Sequence, residues 1–108
     1  MPKHRMMVFT DAVAGREEEF NDWYNAHLAE IMQSEGFVAA QRFQSTGIGK
    51  APDYQYLAVF EVEGDPEAAA AALKADAASR SPTPEGIVRS FTTLWYSTIT
   101  DRAVAEKA

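Results

Sequence analysis

A chain of 108 residues can bury roughly two thirds of its unfolded surface in one compact domain and is too short for two ordinary ones. Ten Lys and Arg against sixteen Asp and Glu leave a net charge of −6 and a pI near 4.8, and no basic cluster offers a surface for phosphates, so nucleic acid is excluded as an expected partner. The absence of cysteine excludes disulfides and thiolate chemistry, no run reaches the length of a membrane span, and the N-terminus MPKHRMMVFT lacks the pattern of a secretory signal, so a cytoplasmic protein with no membrane partner is expected.

Taken in order, residues 3–10 alternate Met6 and Val8 with Met7 and Phe9, which predicts a first strand, β1, covered on both faces. A turn over 11–15 leads into a helix, α1, running to about Glu35. Glu17 to Glu19 fall in its first turn, where negative charge suits the helix dipole, and this run reads as a helix start, not a metal site. Phe20, Trp23, Tyr24, His27, Leu28 and Ile31 recur at steps of three and four and form one stripe. Gly36 closes the helix.

Residues 37–44, FVAAQRFQ, predict β2, and 45–53 form a loop. Gly47, Gly49 and Lys50 lack the spacing of a phosphate loop, and no helix follows them. The aromatic and β-branched run 54–63 predicts β3, with Tyr54, Tyr56, Ala58, Phe60 and Val62 on one face. Asp65 and Pro66 start α2, an alanine-rich helix running to about Ser79 whose one large apolar residue is Leu73. It should pack peripherally. The loop 80–86, with two prolines, is a candidate pocket rim, and 88–99 predict β4. Residues 1–100 are thus read as one domain and 101–108 as a polar tail.

The order βαββαβ predicts an α+β, ferredoxin-like domain with a four-stranded antiparallel sheet and both helices on one face. The strands are apolar on both faces, which a solvated second face would not require. A homodimer with facing sheets is the expected solution.

The segments HRMMVFT, EEEFNDWYNAHLAEIMQSEGFVAAQRF and YLAVFEVEGD, above all Trp23, Tyr24, His27 and Leu28 followed by Gly36, Phe37, Gln41, Arg42 and Phe43, resemble the dimeric α+β barrel superfamily and its EthD-like group of small bacterial proteins. In many relatives Leu-Pro follows the helix histidine; here Ala29 stands at the proline. The resemblance implies a dimeric barrel. It also implies a range of activities, from cofactor-free cyclases and isomerases to monooxygenases and haem proteins.

His27 is the first candidate for chemistry, because a neutral imidazole in a partly dry pocket can take and return a proton near pH 7. The plainer alternative is a histidine that only fills the helix–sheet interface. Tyr24 could donate to a developing oxyanion and Trp23 could form a stacking wall, or both could serve as core. Tyr54, Tyr56, Trp95 and Tyr96 are candidate substrate-binding aromatics, although the neighbours Trp95 and Tyr96 cannot both line one cavity from a regular strand. Arg42 could hold a carboxylate or phenolate, or pair with Glu61 or Glu63. His4 reaches the same cleft edge or ends its strand in solvent. His27 and Glu30, one turn apart, fall short of a metal site. Haem ligation by His27 is an option the resemblance opens, but no other residue asks for it, and no cofactor is expected.

The sequence therefore predicts a small cofactor-independent enzyme of lyase, isomerase or cyclase type, acting on a hydrophobic aromatic or polyketide-like compound. His27 would be the acid or base. The alternatives are a non-catalytic binder of a hydrophobic metabolite and a purely structural dimerisation module.

Overall fold

The computed structural model describes residues 3–107. Its elements run β1 (His4–Ala12), α1 (Glu17–Ile31), β2 (Phe37–Gln44), β3 (Tyr56–Val62), α2 (Pro66–Ala75) with a 3₁₀ turn over Asp76–Ser79, and β4 (Val88–Ser97). The four strands form one antiparallel sheet in the order β2-β3-β1-β4, the ferredoxin-like topology expected. Residues 101–107 are exposed and carry no helix or strand.

Both helices start as their sequences dictate. Asp65 accepts the Ala68 N–H at 3.1 Å ahead of Pro66, and Glu17 to Glu19 occupy the first turn of α1. The helix α1 stops four residues earlier than the expected Glu35, because Gln33 and Ser34 donate to carbonyls three residues back and tighten the chain. Ser34 also gives its hydroxyl proton to Asp76 at 2.8 Å. Gly36, at φ +95°, then turns the chain where a Cβ would lie 3.1 Å from the Ala69 Cβ and 3.3 Å from the Glu63 carbonyl oxygen. Only glycine meets both demands.

The core lies between the helices and one sheet face. Phe20, Tyr24 and Ile31 from α1 and Ala69 from α2 pack over Met6, Phe37, Tyr56, Ala58, Phe60 and Val62. The period-2 burial of β3 places Tyr56, Ala58, Phe60 and Val62 inward, as their spacing predicts. The opposite face carries Met7, Phe9, Leu57 and Val59, half-buried, and Phe43, Leu94 and Tyr96, exposed.

The expected dimeric α+β barrel is not what the chain forms. The edge strands β2 and β4 lie on opposite borders of the sheet with β3 and β1 between them, so the sheet is open. The sheet of one chain has four strands, where a closed cylinder with an interior just filled by side chains takes about eight.

Candidate functional site

A cavity of about 990 Å³ opens between α1, α2, the loop after α2 and the helix-facing side of β1 and β4. This is the upper end of the roughly 300–1,000 Å³ usual for small-molecule sites. Its origin lies in α2 and the 3₁₀ turn that follows it. Alanines at 70 and 77 face the cavity where larger residues would have filled it, and Leu73 supplies the main bulk. On the sheet, Met6, Val8 and Thr10 of β1 continue across the register into Trp95, Thr93 and Phe91 of β4. Trp23, Tyr24, His27 and Ile31 of α1 form the facing wall.

The His27 ring stacks on Trp23, with centroids 4.7 Å apart and planes 20° apart, and meets Tyr24 edge-on at 5.5 Å. His27 Nδ1 lies 3.7 Å from Glu30 Oε1, too far for a hydrogen bond, and is buried without a hydrogen-bond partner. Burial lowers the His27 pKa from its ordinary value; Glu30 opposes this and Arg80 adds to it. The imidazole is therefore neutral at pH 7. The other oxygen of Glu30 accepts the Ser81 N–H at 2.8 Å, tying the 80–86 loop to α1, and this bond holds the Glu30 carboxyl below the usual range.

Tyr24 is 4% exposed, and burial pushes its hydroxyl up to about 12 against the opposing pull of Arg42. It stays a proton donor throughout the neutral range.

The structure brings His27, Tyr24, Trp23 and Trp95 to one cavity. It does not bring the other expected residues there. Tyr56 is buried in the core beneath α1, stacked on Phe20 at 5.3 Å and accepting from Asn21 Nδ2 at 3.3 Å. Tyr54 packs against Phe9, and Tyr96 lies on the far sheet face with half its surface in solvent. His4 Nδ1 lies 2.7 Å from the Ser97 hydroxyl at the strand end, away from the cavity lining.

Arg42 takes neither Glu61 nor Glu63. Glu61 pairs with Arg5 at 3.4 Å, and the bulge at Val38 places Arg42 opposite Ala58, on the helix side. There its guanidinium lies 4.8 Å over the Tyr24 ring and donates to Asn21 Oδ1 at 2.8 Å and Asn25 Oδ1 at 2.9 Å. Burial lowers its pKa, but an arginine remains a cation under such a shift. It packs on Tyr24 and is not among the residues that line the cavity.

Among the lining residues that sequence reasoning missed are all three cations, Lys74, Arg80 and Arg89. Their signal was faint: they stand alone in the chain at the end of α2, in the following loop and in a bulge of β4. Among the described residues, no group of three or more His, Asp or Glu side chains could hold a metal ion, and no helix is long and apolar enough to cross a membrane.

No family model matches the chain, and no curated protein matches it in sequence. Solved structures do match in shape. The haem-degrading protein MhuD of Mycobacterium tuberculosis, with two haems bound in its active site, is similar at a TM-score of 0.70 and 20% identity over 93% of this chain and 99% of that one. A protein from Pseudomonas aeruginosa is similar at a TM-score of 0.67 and 12% identity, over 93% and 97% of the two chains. A dimeric ferredoxin-like protein of unknown function from Thermobifida fusca is similar at 0.53 and 12% identity, over 88% and 90%. The EthD-like resemblance is thereby corrected: the stripe that carried it is a helix packing on a sheet, a requirement many unrelated sequences meet. What these comparisons establish is a ferredoxin-like fold shared at remote identity with MhuD-like proteins.

Proposed function

We propose that the cavity takes a small hydrophobic, aromatic compound and that His27 and Tyr24 carry out cofactor-independent proton transfer on it, as a lyase, isomerase or cyclase of the cytoplasm. The observation that carries this reading is the His27 imidazole 5.5 Å from the Tyr24 ring on one wall of one apolar cavity, where burial favours the neutral form of each. In the tautomer that carries its proton on Nδ1, the Nε2 lone pair is free to act as the base. Nε2 removes a proton from the carbon next to a substrate carbonyl, and the Tyr24 hydroxyl donates to the oxygen that gains negative charge. Returning the proton to a different carbon of a conjugated enolate completes an isomerisation; attack of the enolate carbon on a second carbonyl of the substrate closes a ring, with the His27 proton passing to the new alkoxide; and in the reverse sense Nε2 takes the proton of a β-hydroxyl, the carbon–carbon bond breaks, and the enolate carbon takes that proton back. Trp23 and Trp95 supply flat walls for an aromatic ring.

The test is hydrogen exchange. Aryl ketones incubated with the protein in D₂O are expected to take up deuterium at the carbon next to the carbonyl. His27→Ala should abolish uptake while leaving ketone affinity within a few-fold. Exchange at the wild-type rate in His27→Ala would remove His27 from the chemistry. Binding without exchange would favour the second reading, a carrier for a hydrophobic metabolite. A purely structural module has no use for a cavity of this volume.

Haem, which MhuD binds, would need the same nitrogen. Among the described residues His27 is the only imidazole lining the cavity, and Nδ1 is buried, so iron ligation would fall to Nε2. Acid–base use and ligation exclude each other. A Soret shift on hemin titration that disappears in His27→Ala would replace the proton-transfer reading with haem binding.

We also propose that the far sheet face is covered by a second copy of the chain. Phe43, Leu94 and Tyr96 are 46%, 42% and 52% exposed on a face already rich in Met7, Phe9, Leu57 and Val59.

A further inference from the structure

We infer that the cavity selects an organic anion, an apolar aromatic body bearing one carboxylate, with Lys74 and Arg80 as the residues that hold the charged end. The inference rests on the proposal that the cavity takes an aromatic compound and adds the charge of that compound and the residues that read it.

The argument is one of charge distribution. The protein has sixteen acidic residues against ten Lys and Arg, so a cavity lined at random would be as acidic as the rest of the surface. The lining instead contains three cationic residues, Lys74, Arg80 and Arg89, and no Asp or Glu. The rest of the lining is dominated by apolar and aromatic side chains. A low-dielectric wall with cations of one sign at its border concentrates their field on a bound group.

The three cations are not equivalent. Arg89 is already paired with Asp11 at 3.1 Å, and its side chain is 72% exposed. Arg80 donates one N–H to the Leu73 carbonyl oxygen at 2.9 Å, which fixes the guanidinium beside α2 and leaves its other donors free of any carboxylate among the described residues. The side chain of Lys74, the next residue along α2, has no hydrogen-bond or ion-pair partner among the described residues. Glu30 and Asp76 line a neighbouring pocket with Arg80, but neither cation is ion-paired among the described residues, and such a pair beside an apolar cavity suits an anion that enters with its ring inward. The guanidinium offers a carboxylate two parallel donors, and the ammonium adds a point charge. A cationic ligand would meet two like charges at the same place.

A pair of fluorescent probes of the same shape separates charge from apolarity: 1-anilinonaphthalene-8-sulfonate, an anion, and N-phenyl-1-naphthylamine, its neutral counterpart. The wild-type protein is expected to bind the anion at least about five-fold more tightly, with the preference shrinking as salt rises from about 0.02 M to about 0.5 M. Lys74→Glu, at an exposed position, should remove the preference while leaving the neutral probe unaffected, and Arg80→Gln should reduce it. Ala77→Phe, which fills the cavity from an exposed position, should weaken both probes and so place them in the cavity and not on the far sheet face. Equal affinity for the two probes, or a preference that survives in Lys74→Glu, overturns the inference and leaves the aromatic-ligand reading intact. Failure of both probes to bind, or binding unchanged in Ala77→Phe, overturns both.

Discussion

Replacing His27 by Phe distinguishes a histidine kept for chemistry from one kept for packing. Phenylalanine retains the stack on Trp23, now at 4.7 Å between centroids, and removes the buried Nδ1 that has no hydrogen-bond partner. An unsatisfied buried polar atom destabilises by roughly 1–3 kcal/mol, and the larger ring has the adjoining cavity to expand into. Since 17% of the side chain remains in water, the lower end applies, and His27→Phe should stabilise the protein by about 1 kcal/mol at pH 7.5. In a domain of this size that raises Tm by about 4 °C.

The gap should also depend on pH. The folded pKa of His27 lies below its ordinary 6.5, so the unfolded chain binds more protons. Wild-type stability therefore falls as pH drops below 6.5 toward the folded pKa, and the Phe variant escapes this loss. With an unfolded pKa of 6.5, the ceiling on the extra gap at pH 5.5 is about 1.4 kcal/mol. Solvent screening at a partly exposed ring reduces it to a fraction of that. Urea unfolding of both proteins at pH 7.5 and 5.5 measures the two effects. A Phe variant less stable than wild type at both values would show that the imidazole is held by a structural bond, and the functional reading of the unsatisfied nitrogen would fail.

Glu30→Gln removes the carboxylate that raises the His27 pKa, so the acid limb of any pH–rate profile should move to lower pH; a limb that stays in place separates His27 from the rate. Gly36→Ala should destabilise by about 2–4 kcal/mol, summing a left-handed backbone and the 3.1 Å approach to Ala69. Gly64→Ala, at φ +80° with open space, should lose only about 1–2 kcal/mol, and equal losses in urea unfolding would show that Gly36 has no close approach to accommodate. Tyr24 should show no phenolate absorbance below about pH 11, because burial holds it near 12; ionisation at pH 10 would contradict its burial. Leu94→Glu, at an exposed position on the far face, should give a monomer in sedimentation at micromolar concentration, and a monomeric wild type would refute the proposed pairing.

Much of the fold was legible because its signals are local. The period-3.6 stripe of α1, the Asp65-Pro66 helix start and the alternation in β3 each follow from backbone geometry that neighbouring residues impose on one another. The limits of α1 were less legible, since the chain tightens at Gln33 and Ser34 before Gly36, and Ser34 is held there by Asp76, forty-two residues away.

The site divided along the same line. Trp23, Tyr24 and His27 share a cavity because they share a helix face, and strand alternation alone puts Trp95 and Tyr96 on opposite sheet faces. Which of the two faced the cavity needed the register of β4 on β1. Arg42 went to the rings of α1 and not to Glu61 because a bulge at Val38 decides which face it occupies. The barrel expected from resemblance gave way to an open four-stranded sheet.

By itself, then, the sequence determined the order of elements, the apolar character of both sheet faces and the placing of His27 on a buried stripe, all properties of spacing along the chain. Tertiary structure alone decided that alanine-rich α2 leaves a cavity beside His27, that the Nδ1 atom has no partner there, and that Lys74 and Arg80 border that cavity with no acidic residue among them. Those features depend on which distant segments meet, and spacing within one segment carries no record of that.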